Sequence, residues 1–121
     1  LPAPPTDARD LAFTPDGARL YGASWFKLFR WDLADGALTI QNTEHRGIIT
    51  SIDMSADGRR LATISRETDS AVQILDTATG TPLVRFQSHE LCGGYVQLSP
   101  GERFLATTSD DATVRVWDLD Q

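Results

Sequence analysis

Apolar and polar residues alternate over short segments that recur down the chain. Val114-Arg115-Val116-Trp117 has the period of two that a half-buried strand requires. Lys27 to Trp31 and Val72 to Leu75 carry related segments. Ahead of each lie two further apolar runs split by a turn. Leu11 to Phe13 and Arg19 to Ala23 flank Thr14-Pro15-Asp16-Gly17. Ile49 to Met54 and Arg60 to Ile64 flank Ser55-Ala56-Asp57-Gly58. Tyr95 to Leu98 and Phe104 to Thr108 flank Ser99-Pro100-Gly101-Glu102. Proline presets φ at the second turn position, and glycine accepts positive φ. Asp35-Gly36 and Thr79-Gly80 then turn the chain into Ala37 to Gln41 and Leu83 to Gln87. No segment holds a helical period long enough to compete, so the pattern predicts an all-β fold.

The segments form a repeat. The turn marker beginning at Thr14 returns forty-one residues on at Ser55, then forty-four residues further at Ser99. Trp31-Asp32-Leu33 returns as Leu75-Asp76-Thr77 after forty-four residues, and as Trp117-Asp118-Leu119 after forty-two more. Two independent markers therefore share a period of the length expected for four short strands. Three repeats follow, at 1–43, 44–87 and 88–121. The last stops before its outer strand.

Composition narrows the function classes. The 121 residues are 40% hydrophobic and carry a formal net charge of -6. Lys27 is the one lysine, a poor basis for a phosphate-binding surface, so no nucleic-acid partner is expected. No apolar run approaches the ~20 residues of a membrane span, so no membrane partner is expected. A single cysteine, Cys92, excludes an internal disulfide and is compatible with the cytosol. Glu90 close to it works against a reactive thiolate. The two histidines, His45 and His89, match no zinc spacing, and Asp110-Asp111 lacks a calcium-loop pattern. Cys92-Gly93-Gly94 precedes a strand rather than the helix of a phosphate loop. No cofactor or metal is expected. The opening Leu1-Pro2-Ala3-Pro4-Pro5 reads as a segment exposed by cutting a longer chain, in preference to the start of a mature exported protein.

The third repeat is similar to the WD-repeat β-propeller family. It carries Ser88-His89, Ser99-Pro100 and Leu105-Ala106-Thr107-Thr108-Ser109-Asp110-Asp111-Ala112-Thr113-Val114-Arg115-Val116-Trp117-Asp118. The resemblance implies β-propeller blades: three four-stranded antiparallel WD-type repeats in an incomplete circle. It also implies a hydrogen-bonded tetrad in each blade, at His89, Thr107, Asp111 and Trp117 in the third repeat. In the second, His45, Thr63 and Asp69 match, and Leu75 replaces the tryptophan. In the first, the histidine position falls near Pro4, so the tetrad is absent. His89, Thr107 and Asp111 also contain the residue types of a catalytic triad, but a structural tetrad explains their spacing.

Partner-binding positions carry over from the family to Arg46, Ile48, Thr50 and Thr68 in the second repeat. In the third they are Glu90, Cys92, Gly94 and Asp110. Transfer to the first is looser, with Asp7, Arg9 and Trp25 as nearest equivalents. Trp25-Phe26 reads either as packing against a neighbouring blade or as an exposed aromatic anchor. Three repeats leave blade faces uncovered, to be met by the remaining blades of a longer propeller or by other copies of the chain. The expected role is a protein–protein interaction scaffold, not an enzyme. The alternative is a segment of an enzymatic or cofactor-bearing propeller whose active site lies in other blades.

Overall fold

A computed structural model describes residues 1, 3–4, 7–25, 27–43, 45, 47–66, 71–87 and 93–120. The chain is all-β, with one short 3-10 turn among the described residues, at Pro100–Glu102. Its strands are β1 (Asp10–Phe13), β2 (Arg19–Ser24), β3 (Lys27–Asp32), β4 (Ala37–Asn42), β5 (Ile49–Met54) and β6 (Arg60–Ser65). They continue as β7 (Ala71–Asp76), β8 (Pro82–Gln87), β9 (Gly93–Leu98), β10 (Phe104–Ser109) and β11 (Val114–Asp118). Strands β1 to β4 form one antiparallel sheet and β5 to β8 a second. The third holds β9, β10 and β11 among the described residues. Each sheet is one blade, and the three stand side by side as an open arc.

The turns between the first two strands of each blade show why the repeat marker recurs. In the first, Thr14 Oγ1 donates to Asp16 Oδ1 at 2.7 Å, and the Ala18 amide donates to the same oxygen at 2.9 Å. In the second, Ser55 Oγ and the Arg59 amide donate to Asp57 Oδ1 at 2.7 and 3.0 Å. Asp16 and Asp57 are both held below the usual carboxylate range, chiefly by those backbone N–H groups and then by the hydroxyls. Gly17 and Gly58 take φ of 71° and 74°, the left-handed region that costs most residues steric strain. The third turn has Gly101 in the aspartate position, and Glu102 occupies the left-handed region at φ 62°.

The core lies between the blades. Tyr21, Ala23 and Leu28 of the first blade pack on Ile49, Ile52, Leu61 and Leu75 of the second. The other face of the second blade presents Ala62, Ile64, Val72 and Ile74 to Val96, Leu98 and Leu105 of the third. Alternation along β6 and β7 thus sends apolar side chains to both faces. Each seam joins the forward face of one blade to the receiving face of the next. Burial of this kind stabilises by roughly 25 cal/mol per Å² of apolar surface.

Polar latches on the inner strands cross the same seams. The Ile52 amide donates to Asp10 Oδ2 at 2.9 Å. One blade on, the Val96 amide donates to Ser51 Oγ at 3.2 Å and the Leu98 amide to Asp53 Oδ2 at 2.6 Å. By register Asp10 and Ser51 hold the same place, so one device serves both seams. Gly93 permits this close approach, because a Cβ there would run into the Ser65 carbonyl and stand 2.7 Å from the Ile64 side chain.

Candidate functional site

Antiparallel order places the starts of β1, β5 and β9 at one end of the arc, beside the β2–β3, β6–β7 and β10–β11 connections. At that end Arg9, Thr50, Gly94 and Asp110 come together with Arg66, Gly93 and Tyr95 around a cleft of ≈ 300 Å³. Thr50 Oγ1 donates to the Gly94 carbonyl at 2.7 Å, fastening the second blade to the third at the cleft floor. Arg66 Nη2 donates to Asp110 Oδ2 at 2.8 Å across the rim, with both side chains about half exposed. An exposed pair of this kind contributes about 0–1 kcal/mol, so a partner can compete for either member. The Arg9 amide is fixed by the Ala23 carbonyl at 2.8 Å, and Arg9 itself is exposed.

Four of the expected partner-contact positions thus share one surface: Arg9, Thr50, Gly94 and Asp110. Trp25 lies at the same end. Its carbonyl accepts from the Ile49 amide at 2.8 Å, its φ is 47°, and it is 44% exposed. Ile48 differs from expectation. It is 9% exposed, drawn inward where the chain enters β5, and its carbonyl accepts from the Arg66 amide at 2.9 Å. An apolar β-branched side chain next to the seam gains more from burial than from display in a loop. Asp7 is exposed. Arg46, Thr68, Glu90, Cys92 and Phe26 lie outside the described residues. Arg66 and Tyr95 were not singled out from the sequence. The signal available for Arg66 was an arginine directly after a buried strand, which is too common to choose one residue.

The tetrad positions fall as follows. His45 Nε2 and Thr63 Oγ1 share a buried hydrogen bond of 2.6 Å in the second blade. Trp117 Nε1 donates to Thr107 Oγ1 at 3.1 Å in the third. Asp111 Oδ1 accepts from the Thr113 amide at 2.9 Å and also from the Thr113 hydroxyl. Asp69 and His89 lie outside the described residues. In the first blade register puts Gly22 where Thr63 and Thr107 stand. The Trp31 ring closes over it, and a Cβ there would stand 3.1 Å from that ring. The indole thus packs on bare backbone where later blades hold a hydroxyl. Among the described residues no group of three or more His, Cys, Asp or Glu side chains could hold a metal ion.

Comparison with known proteins agrees with this architecture. Residues 80–118 match the family model for the WD domain, G-beta repeat. The solved WD40 repeats of RRP9 superpose with a TM-score of 0.88 over 99% of this chain and 38% of theirs, at 21% identity. The Poly(A)+ RNA export protein of Schizosaccharomyces pombe is 29% identical over 98% of this chain and 35% of its own length. Autophagy-related protein 16 of Arabidopsis thaliana is 30% identical over 74% of this chain and 18% of its own length. The chain therefore spans about a third or less of these relatives. The fold is that of WD40 propeller blades, and residues 80–118 carry the sequence of a WD-type repeat.

Proposed function

We propose that this chain is the part of an interaction scaffold that recognises a protein partner through the cleft at the inner strand ends. One observation carries the reading: Arg9, Thr50, Gly94 and Asp110, from all three blades' inner ends or loops, converge on a single cleft. The blades make a rigid frame, and the cleft adds two guanidinium groups, a carboxylate and the exposed phenol of Tyr95. Arginine and tyrosine are favoured at interaction hot spots because they combine apolar area with directed hydrogen bonds.

In this reading the buried hydrogen bonds at His45 and Thr63, and at Trp117 and Thr107, belong to blade tetrads. They hold the end loops in place and do no chemistry. The test is partner capture with the intact protein, comparing wild type with an Arg9→Ala, Asp110→Ala double variant. Partner recovery is expected to fall while the denaturation midpoint stays within about 0.5 kcal/mol, as for most surface changes. Unchanged recovery would move the binding surface elsewhere. A turnover activity that vanishes on changing His45, with folding intact, would replace the scaffold reading by the enzymatic one.

A further inference from the structure

The blades place different residues at equivalent points of the cleft end. Register aligns Arg9 with Thr50 and Gly94 at the start of the inner strand. It aligns Trp25 with Arg66 and Asp110 just after the second strand. The second and third blades use both places to hold each other. Thr50 Oγ1 donates to the Gly94 carbonyl at 2.7 Å, and Arg66 Nη2 donates to Asp110 Oδ2 at 2.8 Å. The residues of the first blade have no such structural duty.

Arg9 lines the cleft and is exposed, and its guanidinium makes no ion pair or hydrogen bond with a described residue. Trp25 is also exposed, and its φ of 47° lies in the left-handed region. A bulky residue there carries steric strain, and a strained turn that displays its ring points to a binding role. The Arg9 amide donates to the Ala23 carbonyl, so Arg9 and Trp25 stand on neighbouring strand ends of one blade. Asp110 already has Arg66 as its counter-charge, so a carboxylate is the group that the cleft lacks. One unpaired arginine on a chain of net charge -6 is a poor anchor for a polyanion such as a nucleic acid. It suits a single carboxylate, which a guanidinium binds through two parallel N–H donors.

We infer that the partner presents a peptide segment in which an aspartate or glutamate neighbours a large apolar residue. The carboxylate pairs with Arg9 in the cleft, and the apolar side chain packs on the Trp25 ring. Gly94 leaves room for the incoming segment, because the third blade has bare backbone where the first has Arg9. Tryptophan and arginine are the residue types most enriched where interfaces concentrate their binding energy. This assignment rests on the cleft being the partner site.

The probe is acetyl-Glu-Leu-Glu-Leu-Glu-Leu-amide, titrated into the intact protein and followed by the Thr50 amide and Trp25 indole resonances. Saturable shifts are expected. Arg9→Gln should weaken binding about tenfold, to the level at which the wild-type protein binds the Gln-Leu analogue. Trp25→Gly suits the left-handed turn and should weaken it about tenfold, to the level of the Glu-Gly analogue. Arg59→Gln removes the same charge at the opposite end of the arc and should leave the affinity unchanged. Absence of saturable shifts, an equal loss in the Arg59 variant, or hexauridylate binding as tightly at the same resonances overturns the inference. Partner capture with the Arg9→Ala, Asp110→Ala variant separates the two levels. Recovery lost there without peptide binding to the wild type overturns the acidic segment and keeps the cleft; unchanged recovery overturns both.

Discussion

The second and third blades carry the same pattern and meet different fates. Val72 and Ile74 on β7 are buried because the third blade covers them. Val114 and Val116 hold the same register places on β11 and are 70% and 65% exposed. Tyr95, on the inner strand of the third blade, is exposed on the same open face, in the place where the second blade uses Ser51 to latch its neighbour. At the other end of the arc, Leu11 and Phe13 match the buried or half-buried Ile52 and Met54 and are exposed. A strand pattern therefore states which side chains can be buried, and only a neighbouring blade decides whether they are.

The largest expected effect is at the second seam. Trp117→Ala should cost about 2–4 kcal/mol, since it removes a half-buried ring from Phe86 and leaves Thr107 without its indole donor. Trp25→Ala, at an exposed turn, should cost under about 1 kcal/mol. Denaturant midpoints of the two variants decide it, and equal costs would break the assignment of Trp117 to a seam. The comparison of equivalent valines comes next. Val72→Ala should cost about 1.5–3 kcal/mol through lost burial and a residual void, and Val114→Ala within about 0.5 kcal/mol. The comparison is made at concentrations too low for self-association, where similar losses would mean that Val114 is buried within the monomer.

Smaller effects separate the turns. Glu102→Gly should stabilise by up to about 1 kcal/mol, because glycine removes the left-handed strain and sacrifices only a 4.0 Å contact with Arg60. Thermal midpoints check this; a loss of stability would show that the Arg60 contact outweighs the strain. Asp16, Asp57 and Asp118 all titrate below the usual carboxylate range, Asp118 chiefly through its hydrogen bond from Arg103. Their contribution is present in full above the unfolded carboxylate value, and it fades as pH falls through the depressed folded values. Stability should therefore decline on acidification below about pH 4, and less steeply in an Asp57→Asn variant. Parallel pH profiles for the two proteins would assign the acid sensitivity to other groups.

Much of the fold was legible because its markers are local. The Thr14 and Ser55 turns bind their own aspartates two residues on, and Val114 to Trp117 alternates within one strand. The seams were not legible. Asp10 reaches the Ile52 amide and Asp53 the Leu98 amide over separations of 42 and 45 residues, and nothing in either neighbourhood marks the partner. The candidate site was legible in part. Family positions gave Arg9, Thr50, Gly94 and Asp110, but not that Arg66 pairs with Asp110 or that Ile48 turns inward.

The forward face of each blade needs a receiving face, and sedimentation equilibrium of the 121-residue chain at micromolar concentration tests that directly. The wild-type chain should self-associate through the open face of the third blade. A Val114→Lys, Val116→Lys variant, altered on that face alone, should associate less. A compact monomer for the wild-type chain, with a cooperative unfolding transition unchanged in the variant, would contradict it.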